Sequence, residues 1–333
     1  MDLRNVVLVQ IYDTLTLIFR SLINYKRALE YSQRTYALAR DLGDFNSQIR
    51  ATLRLGQIYY DLGDYSEAIE CFQENIASLQ GGGLEEHLYL VRCLTELGDF
   101  SEGLNFGEEA LRMAEEVDRP NERVAAYARI GFLHLRQGDL LKAIALLERG
   151  LTLSQAADLR MYFRITREYL VLAYALASRT SEALSLLDQT SLGEGSMAIP
   201  MPNRGEAYLL SGCIKGAHQS ALRNLERCQT HQARGPQAWA LRLLGEIAMH
   251  RDPPETEQAE THYQQALTLA TELGMRPLQA HCHRGLGKLY SQTGQAEPAR
   301  AELSTAIDMY RDMEMTFWLP ETEAALAAVA GQA

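Results

Sequence analysis

The chain lacks an uninterrupted apolar run of about 18 residues, which a membrane-spanning helix needs. Its apolar start is broken by Gln10 and Asp13 and follows Asp2 rather than a basic segment, which argues against a signal peptide. Proline is scarce, with 9 residues in 333, and aromatic residues make up only 8%. This composition favours helices over sheets. We therefore expect a soluble, cytoplasmic, all-α protein that does not act on membranes.

Paired cysteines and excess positive charge are also missing. The cysteines are odd in number and contain no C-x-x-C pair, which argues against a disulfide framework and against a zinc site. We expect them to be buried and reduced; they are Cys71, Cys93, Cys213, Cys228 and Cys282. The net charge of -11 argues against general binding to nucleic acid, because phosphate contacts need a basic surface.

Catalytic motifs are absent as well. No G-x-S-x-G elbow occurs. The segment 285–288 is similar to a phosphate loop, but Cys282 replaces its first glycine and Leu289 its final Ser or Thr. His281 and His283 are two residues apart, so on a helix they point in different directions and cannot share a metal. We expect no enzymatic activity, no cofactor and no metal.

An internal repeat is present instead. A turn motif of the type Leu-Gly-Asp followed by alanine occurs at 62–68 and recurs, with variations, at 97–103, 137–143 and 293–299. Weaker copies place Ile23, Ser178, Gly216 and Pro254 at the glycine position. The glycine-equivalent positions are then 23, 63, 98, 138, 178, 216, 254 and 294, at steps of 35 to 40 residues. Such regularity over the whole chain predicts one solenoid.

Each motif predicts a tight turn between two helices. Glycine ends the first helix in a left-handed conformation, and aspartate caps the second helix, with Glu67 completing a capping box for Asp64 and Glu102 for Asp99. A small residue precedes the motif alanine by twelve positions, and a large apolar residue follows that alanine by four. We expect these sets to pack where paired helices cross; they are Gly56, Ala68 and Phe72, Gly131, Ala143 and Leu147, and Gly287, Ala299 and Leu303.

The pattern Leu55-Gly56-x-x-Tyr59 with Ala68 and Phe72 resembles the tetratricopeptide signature, and 286–303 repeats it. HEAT and armadillo repeats share the longer period but are not expected to carry this pattern. The resemblance implies a right-handed superhelical solenoid of about eight helix-turn-helix repeats with a C-terminal capping helix. The period exceeds the family's usual length of about 34 residues, so helices or connections must be longer.

We expect a single solenoid over 1–333. The predicted repeats are 5–42, 46–80, 84–118, 121–157, 161–190, 201–233, 236–273 and 277–313, and the capping helix is 319–330. The segment Ser191 to Asn203, rich in Gly, Ser, Met and Pro, predicts a long surface loop, with a hinge as the alternative.

Residues 236–326 carry a more specific resemblance, notably in 238–248, 273–278 and 315–319. They are similar to the C-terminal repeat region of large bacterial signalling proteins that also carry a nucleotide-cyclase-like domain and an AAA-type ATPase domain. This resemblance implies a role in sensing or recruiting partners. None of that family's catalytic segments occurs here. A start already inside the first repeat suggests a short natural relative or an excised piece.

The first helix of each pair is expected to line the concave groove of the solenoid. The candidate groove residues are Arg50, Gln57 and Tyr60 in the second repeat, Trp239, Arg242 and Glu246 in the seventh, and His281, Arg284 and Lys288 in the eighth. In the last two repeats they form a basic and aromatic patch, which suits an acidic peptide segment or a carboxylate. The alternative is that these side chains are solvated or pack between repeats. We expect a scaffold that binds a protein or peptide, or alternatively a ligand-sensing regulatory domain that controls an attached cyclase, ATPase or transcriptional output.

Overall fold

The structure, a computed structural model, describes residues 3–80, 82–117, 119–188 and 203–331. Within these ranges all regular secondary structure is helical and no β-strand occurs, so the predicted all-α solenoid is confirmed. Most of the predicted loop from Ser191 to Asn203 lies outside the described residues, and only Asn203, the first residue of a helix, is described.

Sixteen helices in the described ranges form consecutive pairs, and a further helix follows them. The pairs are α1 (Leu3–Ser21) and α2 (Tyr25–Leu42), α3 (Phe45–Leu62) and α4 (Tyr65–Ser78), α5 (Leu84–Leu97) and α6 (Phe100–Val117), α7 (Pro120–Gln137) and α8 (Leu140–Ala156), α9 (Arg160–Leu176) and α10 (Thr180–Asp188), α11 (Asn203–Leu210) and α12 (Ile214–His231), α13 (Arg234–Met249) and α14 (Thr256–Glu272), and α15 (Arg276–Gln292) and α16 (Ala296–Asp312). A 3₁₀ turn (Thr316–Trp318) leads into α17 (Leu319–Ala330).

Four of the turns within pairs carry the predicted left-handed glycine. The φ angle is 99° at Gly63, 89° at Gly98, 94° at Gly138 and 76° at Gly294. Glycine suits these positions because it has no Cβ to clash in this conformation. At these four turns only two or three residues separate the two helices.

The turn of the sixth pair was predicted at the wrong place. Gly216 lies inside α12, whereas Gly212 is the left-handed residue, with φ of 78°, and Cys213 precedes α12. The motif alanine is therefore Ala217, not Ala221. Cys213 stands where the Leu-Gly-Asp motif has its aspartate. The motif at 212–217 was therefore not recognised in the sequence. Cys213 is also exposed and Cys71 is only partly buried, so the expectation that all five cysteines are buried is wrong for these two.

Aspartate caps some of the helices but not all. Asp44 accepts a 3.1 Å hydrogen bond from the backbone N–H of Ser47, and Asp139 one of 3.3 Å from that of Lys142. Asp64, where we expected a capping box, makes no side-chain cap hydrogen bond. Partial burial raises the pKa of Asp64, consistent with a carboxylate that has lost hydration without gaining a donor. The capping-box prediction is therefore wrong at this turn.

The predicted close approach of paired helices is confirmed. A Cβ added at Gly56 would lie 2.6 Å from Cε1 of Phe72, and one added at Gly131 would lie 2.8 Å from Cγ of Leu147. Gly287 meets Leu303 in the same way. The motif alanines Ala68, Ala143 and Ala299 are completely buried. Small residues thus let the two helices of a pair cross with almost no gap.

The superhelix closes on itself. The turn at Gly63 abuts the start of α13, where the backbone nitrogen of Gly235 lies 3.2 Å from an added Cβ. The turn at Gly98 abuts Pro277 at the start of α15, and the turn at Gly138 abuts Phe317. Repeats two, three and four therefore meet repeat seven, repeat eight and the terminal segment. We call this line of contacts the closing seam.

The terminal helix α17 covers the last pair. Val329 is 1% exposed and packs with Ala299 and Leu303 of α16. The predicted capping role is thereby confirmed. Among the described residues, no helix is both long and apolar enough to cross a lipid bilayer.

Candidate functional site

Closure of the superhelix brings the first helices of distant repeats face to face. The indole Nε1 of Trp239 on α13 donates a hydrogen bond of 2.9 Å to Oε2 of Glu96 on α5. The guanidinium carbon of Arg136 on α7 lies 3.5 Å from the ring centre of Trp239. We call the facing sides of α3, α5, α7, α9, α13 and α15 the inner surface. It is polar and aromatic, although most of its side chains are buried.

The expected basic patch of the last two repeats lies on the inner surface, but its charges are balanced. Arg242 pairs with Glu206 at 2.7 Å and with Glu246 at 3.7 Å. Arg284 pairs with Glu246 at 3.8 Å, and both Arg284 and Lys288 pair with the carboxylate of Glu321 on α17. The patch therefore carries no net positive charge, contrary to our expectation.

The expected aromatic anchor is also enclosed. Trp239 and Arg242 are each only 3% exposed, so neither stands free in an open groove. Lys288 is the most accessible of the four predicted contacts, with 41% of its side chain exposed. The sequence pattern placed Trp239, Arg242 and Lys288 on the inner side of their helices. It could not show that Glu206 on α11 and Glu321 on α17 pair with these arginine and lysine side chains.

The predicted residues of the second repeat divide between two environments. Gln57 is 2% exposed, and its side-chain oxygen accepts a 2.9 Å hydrogen bond from Nη1 of Arg20. The ring of Tyr60 lies beneath the guanidinium of Arg92 at 3.9 Å. Arg50 is exposed and donates to the hydroxyl of Ser47 on its own helix. Gln57 and Tyr60 thus belong to the inner surface, whereas nothing connects Arg50 to it.

His281 is an uncharged part of this interior. Its Nδ1 lies 2.8 Å from the hydroxyl of Tyr310, and its ring contacts Trp239 and Trp318. Burial lowers its pKa well below the ordinary range, and the charges of three nearby arginines lower it further. His281 is therefore neutral at pH 7. His283, which points in a different direction as predicted, lies with its Nδ1 2.6 Å from Oε2 of Glu302.

Three arginines of the third and fourth repeats were missed. Arg92 on α5 packs over Tyr60, while Arg136 on α7 packs over Trp239 and lies 4.9 Å from the ring centre of Phe132. Arg129, about two turns earlier on α7, donates a 3.1 Å hydrogen bond to the hydroxyl of Tyr169. We call Arg92, Arg129 and Arg136 the arginine cluster.

A sequence signal for part of this cluster existed. Arg92 occupies the position of α5 that Gln57 occupies in α3, since the same step relates Gly63 to Gly98. Extending the groove pattern to the third repeat would have found it. Arg136 follows Leu135, which occupies the position of α7 that Tyr60 occupies in α3, so the face of α7 is rotated by one residue.

Neither a metal-binding cluster nor a phosphate loop occurs among the described residues. No group of three or more His, Cys, Asp or Glu side chains is placed to hold a metal in the described ranges. The glycines at 285 and 287 lie within α15 and face Tyr263 and Leu303, so this segment forms no phosphate loop.

The paired helices, the left-handed turns and the small-residue crossings recur throughout the chain, and the family model of the tetratricopeptide repeat matches residues 11–80, 86–156 and 236–312. The chain belongs to the tetratricopeptide repeat family. A curated relative, the outer dynein arm-docking complex subunit 4 of Danio rerio, is 23% identical over 150 residues. These are 44% of this chain and 31% of that protein, so the chain spans about a third of the relative that it matches.

Two solved tetratricopeptide-like structures share the fold over most of their length. The Rap conjugation gene regulator of plasmid pLS20, in complex with the Phr* peptide, has a TM-score of 0.63 and 13% identity, and the match covers 91% of this chain and 97% of that one. A Rap protein complexed with Competence and Sporulation Factor has a TM-score of 0.60 and 12% identity, covering 98% and 99%. At these identities the likeness concerns the fold.

Proposed function

We propose that this tetratricopeptide repeat chain is a non-catalytic scaffold that binds an extended protein or peptide segment on its inner surface. Its helix pairs form one continuous array rather than two domains. The observation that carries the proposal is the polar character of the inner surface. Glu96, Arg92, Arg136 and Arg242 are each at most 8% exposed, yet all four carry charge.

Stability alone does not account for these side chains. Removing ionic groups from water costs several kcal/mol each, and apolar residues of similar volume usually pack at least as stably. Charged groups retained in such an interior are better explained by recognition of a polar ligand. Tyrosine, tryptophan and arginine, which dominate this surface, are also the residue types that contribute most to binding at protein interfaces.

Two structures with the same fold support the proposed binding function by analogy. The two Rap structures that share the fold are described as complexes, one with the Phr* peptide and the other with Competence and Sporulation Factor. A peptide ligand is therefore compatible with this architecture. An acidic segment was the partner expected from the sequence, and we place the protein in the cytoplasm of a bacterium as part of a signalling pathway.

Hydrogen exchange on a selected peptide tests the proposal. Peptides of twelve residues would be selected from a random display library against the full chain, and the strongest binder would be added in excess. We expect slower amide exchange in α3, α5, α13 and α15, whose inner sides would hold the peptide. Protection confined to the outer helices α8 and α12 would contradict the proposal.

The alternative is a ligand-sensing regulatory domain that controls an attached cyclase, ATPase or transcriptional output. The closing seam favours it, because a ligand that binds better to an open superhelix would separate Gly63 from Gly235. The similarity of residues 236–326 to bacterial signalling proteins points the same way. Small-angle scattering with and without the selected peptide separates the two functions, since only the regulatory one requires a large change in radius of gyration.

A further inference from the structure

The arginine cluster carries positive charge that the protein itself leaves unpaired. Arg92 is 8% exposed and Arg136 is 7% exposed. Among the residues that the structure describes, neither guanidinium has a carboxylate within 4.0 Å or a hydrogen-bond acceptor in reach. The Nε of Arg136 is a buried donor without any partner. Burial lowers the pKa of Arg136, which is the expected effect on an unpaired cation.

Unpaired buried guanidinium groups are costly and therefore informative. Two other arginines with little exposure are neutralised: Arg20 on α1 pairs with Asp61 at 2.7 Å, and Arg242 on the inner surface pairs with Glu206 at the same distance. Arg92 and Arg136 instead rest on aromatic rings, which offset only part of the cost of removing a cation from water. Each group has five N–H donors, and no described residue accepts a hydrogen bond from them.

The cluster converges on one region of the inner surface. Tyr169 interacts electrostatically with both Arg92 and Arg136, and its ring stacks on Phe132 at 4.5 Å. Its hydroxyl accepts the hydrogen bond from Arg129, which has no carboxylate in ion-pairing range among the described residues. All three arginines thus interact with one tyrosine, Arg129 through a hydrogen bond and Arg92 and Arg136 electrostatically.

The carboxylates that act electrostatically on Arg92 or Arg136 include Asp61 and Glu206, which already pair with Arg20 and Arg242, and Glu96, which has no ion pair among the described residues. Glu96, one turn after Arg92 on α5, acts electrostatically on Arg136 and accepts the hydrogen bond from Trp239. A single negative charge leaves the cluster with an excess of positive charge. The excess is local, since the chain as a whole carries -11. An anionic ligand would therefore be attracted to this region in particular.

We propose that Arg92 and Arg136, with Arg129 beside them, bind a carboxylate group of the segment that occupies the inner surface. The planar guanidinium fork matches the planar carboxylate and forms two parallel hydrogen bonds with it. This inference rests on the proposed function, and it moves the anionic contact from the balanced charges of repeats seven and eight to repeats three and four. The carboxylate comes from an acidic side chain or from the C-terminus of a peptide.

Tryptophan fluorescence reports on the site directly, because Arg136 packs on Trp239. The probes are glutarate, its uncharged analogue glutaramide, and inorganic phosphate, added to the full chain carrying Trp318→Phe. Acetylated octapeptides with a single Glu or Gln and an amidated end, and the Gln peptide with a free end, distinguish the two sources of carboxylate. We expect a saturable change with glutarate and with at least one carboxylate-bearing peptide, but not with glutaramide.

Variants assign the effect to the cluster. Arg92→Gln and Arg136→Gln should each weaken glutarate binding about 10- to 100-fold, the range for losing a hydrogen bond to a charged group. Arg136→Lys, which keeps the charge without the fork, should weaken it less. The matched control is Arg149→Gln, because Arg149 lies 4.8 Å from the ring centre of Tyr127 but is exposed on α8. Melting curves check that each variant is folded.

The outcomes separate the inference from the proposed function. Equal responses to glutarate and glutaramide, stronger binding of phosphate than of glutarate, or unchanged binding in folded Arg136→Gln would overturn the carboxylate site. Peptide binding that is indifferent to the Glu-to-Gln change and to the free end would also reject the site while leaving the scaffold function in place. Glutarate binding without binding of any selected or designed peptide would uphold the site and reject the peptide scaffold.

Discussion

Nε1 of Trp239 donates a hydrogen bond to Oε2 of Glu96, a residue 143 positions earlier in the chain, and this bond joins α13 to α5 across the interior. Both residues are at most 7% exposed. The donor therefore satisfies a carboxylate that has little access to water. Losing that donor leaves a buried acceptor unpaired.

We predict that Trp239→Phe lowers the free energy of unfolding by about 1–3 kcal/mol, because Glu96 loses its donor. Denaturant unfolding monitored by circular dichroism measures the change. Glu96→Gln keeps an acceptor and a similar volume, so it should cost less than Trp239→Phe. Equal stability of the wild type and Trp239→Phe would mean that this bond contributes nothing.

Burial of the motif alanine makes it sensitive to enlargement. Ala143 in α8 is completely buried at the helix crossing, so Ala143→Leu should cost about 1–3 kcal/mol by overpacking. Ala145→Leu is the matched control, because Ala145 is exposed on the same helix. Thermal melts should show a lower Tm for the first variant only. Similar Tm values for both would argue against the tight crossing.

Two glycine substitutions separate the contribution of the closing seam to stability from the contribution of backbone strain. Gly294→Ala should cost about 1–2 kcal/mol, because its φ is positive but no atom lies within 4 Å of the new Cβ. Gly138→Ala should cost more, because its Cβ would lie 2.6 Å from Cβ of Phe317. Urea unfolding measures both. If the two variants were equally stable, the contact between Gly138 and the terminal segment would be insignificant.

Capping by Asp44 should depend on pH. Hydrogen bonds from Ser47 to the carboxylate of Asp44 lower its pKa below the ordinary value, so folding favours the charged form. The stabilisation is present above the unfolded-state pKa of about 3.9 and is lost as the pH falls through the lower, folded-state pKa. Asp44→Ala should therefore cost about 0.5–2 kcal/mol at pH 7 and less near pH 2.

Asp64→Ala serves as the control for Asp44→Ala. Asp64 occupies the same capping position on α4, but it makes no cap hydrogen bond. Its replacement should cost less at pH 7 than that of Asp44. Urea unfolding of the variants and the wild type at both pH values gives the comparison, and a larger loss for Asp64→Ala would contradict the capping geometry.

Local features of this fold were predictable because they depend on residues close in sequence. The helix pairs were identified by three residues of the motif: the turn glycine where it is present, the alanine five positions after it, and the small residue before both. The turn at Gly212 was misplaced because Cys213 stands where an aspartate normally marks the cap. Short-range patterns fail where one residue of the motif is replaced.

The candidate site was predictable only in part, because it depends on contacts between distant repeats. The pattern placed Trp239 and Arg284 on the inner surface. It could not show that Glu321 neutralises Arg284, or that Arg136 packs over Trp239. These pairings follow from the cumulative twist of the superhelix, since a small rotation per repeat decides which helices finally meet.

The closing seam also has a consequence for how the chain folds. An open solenoid grows by adding each repeat to its neighbour, so its contacts are short in sequence and it folds quickly. Here α3 and α5 reach their final partners only when α13 and α15 are present, which raises the contact order and slows the last step. During synthesis the side chain of Glu96 lacks its partner Trp239 until the seventh repeat has left the ribosome. In the nascent chain, the inner surface of the early repeats therefore stays exposed until the late repeats are synthesised.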